Sequence, residues 1–454
     1  MIGVLFNPIT ILLATLAIQW VALAEVGPFT IQLPYLTFLL VLFYAASGPR
    51  KLSATAEYVR ANAPWLIPWA FYLVIVSAVL SGTDGGNIAP RQIFYLVAGI
   101  ALGGCIAATR NIRAIFRLGA SLGLFVFVVT IEVLARRIGL SWLDAIDHFI
   151  NDGNLKFVTY FFFREIFNSL QSSTGELISA ARKNDVATCV LVLGLVFRSA
   201  SPAPQRDIPG MIVLCLTIGL LLLLNTRSVL IVGGIGLMLA TLIGTAMRPV
   251  RNSGPTALKL LGLAVLVVLM VQFSVSETAA SATLGERFSF DDYSAEARLT
   301  QINFAIETIE RQPWTGIGYV EVNGMRIHNL FLGAWIHAGI LPFLLVVFFY
   351  LIVVIRWLVI ILRVTRNPRT WVLPIAFEWV ACLPILPFFR VWLSGDAGHP
   401  FISEWIALSI FFGCVLANEL RLKKSASQSA AFGRGQASSS EVAQRTSPER
   451  LAGN

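Results

Sequence analysis

Charge is what this chain has least of. Asp, Glu, Lys and Arg make up 13% of 454 residues while 56% are hydrophobic, too little polar surface to solvate a compact water-soluble fold of this size. A bilayer must supply much of the solvent. Cysteine is also sparse. Cys105, Cys189, Cys215, Cys382 and Cys414 all fall in apolar stretches, with no Cys-x-x-Cys pair and no Cys/His spacing of the metal-binding kind, which speaks against structural disulfides and a zinc site. Clustered carboxylates of the sort that hold a divalent metal on a diphosphate are missing too, so no metal and no cofactor are expected. No basic residue precedes Arg50, unlike the basic start of a cleaved signal peptide, and the first apolar segment reads as a retained helix. The net charge of +9 comes from Lys and Arg scattered between apolar runs. That distribution is topological rather than a polyanion-binding face, and no nucleic-acid partner is expected.

Apolar sequence is what the chain has in quantity. Windows long enough to cross the hydrocarbon, bounded by charges, Pro and Gly, fall near 5–25, 28–46, 63–80, 91–109, 114–135, 185–200, 208–225, 228–247, 256–275, 339–362, 371–393 and 400–418, predicting an all-α polytopic membrane protein of about 12 transmembrane helices. A cytoplasmic N-terminus puts Arg50, Lys51, Arg60, Arg110, Arg113, Arg117, Arg198, Arg206, Arg248, Arg251, Arg363, Arg366 and Arg369 in or beside cytoplasmic loops, as the positive-inside rule requires. The short opposite loops around Val26–Phe29, Ser81–Pro90 and Gly395–Pro400 hold no Lys or Arg. An even helix count then returns the C-terminus to the cytoplasm. Residues 1–424 form the transmembrane domain, and the Ser-, Ala- and Gly-rich tail 425–454 is expected to be a disordered cytoplasmic segment.

Two external segments, about 136–184 and 276–338, are long and mix acids, bases and aromatics, a composition typical of functional loops rather than linkers. In the second, Leu299, Ile302, Ala305, Ile306 and Ile309 recur at helical spacing, and His328–His337 reads as amphipathic. Both are expected as interfacial helices. The pairs Gly99/Gly103 and Gly119/Gly123 have the GxxxG spacing of close helix packing.

Arg227, in Asn225-Thr226-Arg227-Ser228, stands in a short external turn where positive charge is disfavoured. An arginine there can snorkel to lipid headgroups, but its guanidinium is also shaped to grip a diphosphate. The second loop offers Arg287, Arg298 and Arg311, then Pro313-Trp314-Thr315-Gly316-Ile317-Gly318-Tyr319, then His328-Asn329-Leu330-Phe331-Leu332 and Gly339-Ile340. This order resembles the signature of the O-antigen ligase and O-antigen polymerase superfamily: an Arg before a helix, a Pro-x-x-Gly-Ile-Gly turn, and a His-Asn ahead of a Leu/Phe-rich helix and Gly-Ile. Lys183-Asn184-Asp185-Val186-Ala187 resembles the family's Asn-Pro-Asn-x-x-Ala stretch but lacks the Pro. The likeness runs from about residue 160 to 345, with the earlier helices matching only in number and hydrophobicity.

The resemblance implies a multi-spanning, GT-C-like glycosyltransferase that moves glycan from undecaprenyl diphosphate onto a glycan or lipid A-core acceptor on the periplasmic face of the bacterial inner membrane, among membrane lipids. By motif position, Arg227, Arg298 and His328 are its functional residues. Chemistry agrees. Fixed Arg donors stabilise the charge that develops on a diphosphate leaving group without a metal, and a histidine accepts the proton of the attacking sugar hydroxyl near neutral pH. Taken alone, His328 would be read as a polar anchor; Asn329 and the arginines decide otherwise. Arg164, Arg287 and Asn329 are expected to bind substrate, Arg164 because its spacing to Gly175 resembles a motif of glycan polymerases. Glu132, Glu378 and Glu404 lie in or near spans, where ionisable groups are costly, and would suit the main alternative, a secondary transporter or lipid-linked glycan flippase. A transporter usually shows two related halves; here the halves differ.

Overall fold

The computed structural model describes residues 2–18, 22–26, 29–80, 88–151, 166, 180–201, 207–224, 227–247, 293–318, 321–322, 325–326, 329–387 and 402–445. The described elements are α1 (Ile2–Leu5), α2 (Pro8–Thr15), a hairpin of β1 (Ala22–Val26) and β2 (Phe29–Gln32), α3 (Leu33–Ala46), α4 (Pro49–Leu80), α5 (Ile88–Ala108), α6 (Ile112–Arg137) and α7 (Trp142–Ile150). They continue with α8 (Ala180–Ser199), α9 (Ile208–Leu224), α10 (Arg227–Ala246), α11 (Tyr293–Arg311), the two-residue strands β3 (Glu321–Val322) and β4 (Met325–Arg326), α12 (Leu330–Ala338), α13 (Ile340–Arg366), α14 (Phe377–Val380) and α15 (Ile402–Arg445). Helices dominate because in hydrocarbon each backbone N–H and C=O must be satisfied within its own segment. Among the described residues, α4, α5, α6, α10, α13 and α15 contain stretches long and apolar enough to cross a bilayer. The chain is a multi-pass helical membrane protein.

Several expectations are corrected. The first expected helix, 5–25, ends early: a 3-10 turn at Leu16–Ile18 follows α2, and Ala22–Gln32 forms an antiparallel hairpin. Short apolar runs carry no periodicity that separates strand from helix. The span expected at 63–80 begins at Pro49 and runs through Pro64 and Pro68, because its polar first half is packed against α5 rather than left in solvent. The described part of the expected span 371–393 holds the short apolar stretch Phe377–Pro387, after a 3-10 turn at Pro368–Thr370. The last helix continues to Arg445, past the 424/425 boundary. The span at 256–275 lies outside the described residues.

The bundle is drawn together where small residues let backbones approach. A Cβ on Gly103 would overlap the Tyr58 ring of α4, one on Gly104 would lie 2.5 Å from Thr55 Cα, and one on Gly99 would lie 2.9 Å from Ser409 Oγ of α15. Gly119 and Gly123 do the same for α2, facing Thr10 and Leu13. Both GxxxG pairs are therefore packing sites. Between α4, α13 and α15 lies an aromatic core, with Phe349 4.8 Å from Trp69, Trp405 5.6 Å from Trp69 and Phe412 5.5 Å from Trp65 between ring centroids. Arg356 enters it through a 2.9 Å hydrogen bond to Asn62 Oδ1, which also accepts from Trp65 Nε1 at 3.0 Å.

One end of the bundle gathers the basic residues. Arg113 Nε donates to the Ala200 carbonyl at 3.1 Å, Arg421 Nη2 to the Arg110 carbonyl at 3.0 Å, and Arg363 pairs with Glu419 at 3.6 Å. Asp207 lies 3.5 Å from Arg117 and 4.0 Å from the buried Arg198. Burial opposes ionisation of Asp207, but the Ser201 hydroxyl, Arg117, the Gly210 N–H and Arg198 together hold its carboxyl below the usual carboxylate range. At the opposite end, where α5, α8 and α15 begin, Ser403 Oγ donates to Asp185 Oδ1 at 2.5 Å and Trp405 Nε1 to Gln92 Oε1 at 3.3 Å.

Candidate active site

The part of the expected site that the structure describes in most detail is α12 and the glycine turn before it. Asn329 is the N-cap of α12, its Oδ1 accepting from Phe331 N at 3.0 Å and Leu332 N at 3.1 Å, so two of the helix's orphan donors are satisfied locally. The side-chain oxygen of Asn329, a residue expected to bind substrate, thus holds the helix start. The helix is not the surface-lying amphipathic element expected from sequence. Leu330, Gly333, Ala334, Ile336, His337 and Ala338 are buried, because α12 is wedged among α4, α11 and α13.

The far end of α12 explains the Pro-Trp-Thr-Gly-Ile-Gly turn. Ile317 N–H donates to the Ile336 carbonyl at 2.7 Å and Gly318 N–H to the His337 carbonyl at 3.2 Å, while Trp335 Nε1 reaches the Pro313 carbonyl at 2.8 Å. The turn is therefore the C-terminal cap of α12, supplying donors to carbonyls that the helix cannot satisfy itself. Such close seating leaves no room for side chains. Gly316, at φ +68°, would place a Cβ 2.5 Å from the Ile336 oxygen, and Gly339, at φ +89°, would drive one into the Trp314 carbonyl. Gly339 also joins two helices, as C-cap of α12 and N-cap of α13.

Helix α11, which carries Arg298, lies against α12 through Ala305 and Ile336, with Phe304, Ile309 and Leu332 packed around them. Its Leu299, Ile302 and Ile306 remain exposed on an adjacent face, the arrangement of a helix resting at an apolar interface. Arg227 is the first residue of α10, which packs against α8, α13 and α14. The chain thus brings the Arg298 helix onto the helix that Asn329 opens, and sets the Arg227 helix beside α13. The side chains of Arg227 and Arg298 lie outside the described set, as do His328, Arg287 and Arg164 altogether.

The remaining ionisable residues divide. Glu132 accepts from the Trp142 backbone N–H at 2.8 Å and from Arg136 Nε at 2.6 Å, which fixes the corner between α6 and α7. Glu404 is fully buried at the start of α15, next to the Ser403 that meets Asp185. Sequence reasoning gave Asp185 only as part of a motif likeness; its hydrogen bond to Ser403, more than two hundred positions away, has no local signature.

Residues 212–347 match the sequence model of the O-antigen ligase family. This segment of the chain is similar to the O-antigen ligase family. No curated protein matches the chain. The O-antigen ligase segment starts within α9 and ends in the first turns of α13. It includes Arg227, Arg287, Arg298, His328 and Asn329 together with the glycine turn, and leaves out Arg164 and the Asp185 stretch. The resemblance read from the motif order is borne out over residues 212–347, and its stretch before residue 212 lies outside the match.

Proposed function

We propose that this protein transfers or polymerises glycan carried on undecaprenyl diphosphate, at the periplasmic face of the bacterial inner membrane, as a metal-independent glycosyltransferase of O-antigen or exopolysaccharide assembly. The observation that carries the reading is the O-antigen ligase match over 212–347, a segment whose described part is a built scaffold: α11 packed on α12, Asn329 capping one end and the glycine turn the other. On this scaffold Arg227 and Arg298 grip the diphosphate and stabilise its developing charge, and His328 removes the proton from the acceptor hydroxyl as it attacks the anomeric carbon. Arg164 and Arg287 assist in holding donor or acceptor. Both termini are cytoplasmic, because the end rich in arginine is then the inner one.

The deciding experiment supplies purified protein with a single undecaprenyl-diphosphate-linked oligosaccharide and no lipid A-core acceptor, and resolves products by size. A ladder of longer lipid-linked glycans identifies a polymerase. Product only after lipid A-core is added identifies a ligase, and product under neither condition overturns the enzymatic reading. Added chelator should change nothing in either case.

A further inference from the structure

The basic end of the bundle is hollow. Where the first turns of α4, the last turn of α5 and the middle of α15 meet, they leave a cavity of about 740 Å³ rimmed by Arg50, Arg110, Arg421 and Lys424. Its lining includes Ala54, Ala107, Ala108 and Ala417, small side chains that leave space between the helices. The positive-inside rule accounts for the sign of these residues; it does not require them to line a concavity.

Their pairing is incomplete. Arg421 is held by the carbonyls of Thr109 and Arg110 at the end of α5, at 3.4 and 3.0 Å, a cation at the negative end of a helix dipole. Glu57, the carboxylate on the cavity wall, is bridged by Arg60 at 2.7 Å, and Glu419 nearby is bridged by Arg363. Among the described residues, Arg50, Arg110 and Lys424 have no carboxylate partner. Arg50 and Lys424 stand on different helices from the α5 terminus, so its dipole does not explain them. Cations brought together in this way repel unless an anion is placed between them.

We propose that this cavity binds the phosphate of an anionic phospholipid headgroup. The volume falls within the range of small-molecule sites, basic pockets between spanning helices are suited to acidic headgroups, and the walls combine a cationic rim with apolar floor. Leu420 lines the cavity together with Ala54, Ala107, Ala108 and Ala417, so apolar surface for the glycerol and upper acyl chains adjoins the charges. Those features favour a lipid over a free phosphate, which needs only the rim.

Native mass spectrometry of the detergent-purified protein tests this with phosphatidylglycerol, phosphatidylcholine and inorganic phosphate as probes. Phosphatidylglycerol should be retained and phosphatidylcholine not, with millimolar phosphate failing to displace it. The R50Q/K424Q variant changes two exposed side chains that have no carboxylate partner among the described residues, and should bind phosphatidylglycerol about thirty-fold more weakly at unchanged melting temperature. Equal retention by variant and wild type, or equal retention of phosphatidylcholine, overturns the site. Displacement by phosphate at the affinity of the lipid overturns the lipid assignment. Because the readout is binding, it is independent of whether the protein makes glycan.

Discussion

Replacing Gly339 by alanine should disconnect the glycine turn from α12. The residue sits at φ +89° and ψ −173°, a region essentially reserved for glycine, where any other residue costs about 1–3 kcal/mol. Its added Cβ would meet the Trp314 carbonyl group and lie 3.0 Å from the Thr315 carbonyl carbon, and backbone cannot rotate away as a side chain can. If the turn lifts, the Ile317–Ile336 and Gly318–His337 hydrogen bonds are lost at about 1 kcal/mol each. The sum is about 3–5 kcal/mol. Thermal melting of the detergent-solubilised protein should fall clearly, and glycan product per folded molecule should fall with it. Trp335→Phe, which removes the Nε1 bond to Pro313 and part of the ring stacked on Phe343, should cost about 1–2 kcal/mol and serves as the milder comparison. A G339A protein that melts and works like wild type would refute the account of the turn as a cap.

Alanine at Arg227, Arg298 or His328 should each reduce glycan product at equal protein abundance, by roughly 10²-fold or more for a charge-stabilising arginine or a general base; normal product from all three leaves them structural. Asp207→Ala strands the buried Arg198 and should destabilise by about 3 kcal/mol, read as a lower melting temperature and lower abundance. Because the folded Asp207 carboxyl titrates below its usual range, its contribution is full above about pH 4 and fades as pH falls through the folded value. The wild-type minus variant difference should hold constant from about pH 8 to 5; a difference that shrinks across that interval contradicts the sign. Gly104→Val drives a branched side chain into Thr55 Cα and should cost about 1–3 kcal/mol by overpacking α4 against α5, unless melting is unchanged, in which case the contact is slack.

Much of this architecture is readable along the chain, and the failures share a cause. Spans such as Ile112–Arg137 and Ile340–Arg366 announce themselves because hydrocarbon demands long apolar runs. Helix α4 was half hidden: Arg50 to Arg60 reads as a polar loop, and Gly103 and Gly104, about fifty positions on, supply surface against which it packs as a helix. The hairpin at Ala22–Gln32 has strands of only five and four residues, too short for the alternation in Phe29–Gln32 to stand out against the apolar runs on either side. At the site, motif order brought Asn329 and the glycine turn together but did not show their structural roles. The Asn329 oxygen caps a helix, and the glycine turn is a close backbone contact. Such roles depend on which carbonyl lies opposite, and that is set by the tertiary fold.

The residue shared by α12 and α13 has a mechanical consequence. Helix α13 has 27 residues, and its stretch ahead of Arg363 is about 35 Å long, against a hydrocarbon thickness of about 30 Å. Such a helix accommodates the mismatch by leaning, and its lean follows the thickness of the bilayer around it. Since Gly339 is the first point beyond that helix and the glycine turn rests directly on it, there is no spacer to absorb the change. Lipid composition is thereby an input to the geometry of the O-antigen ligase segment.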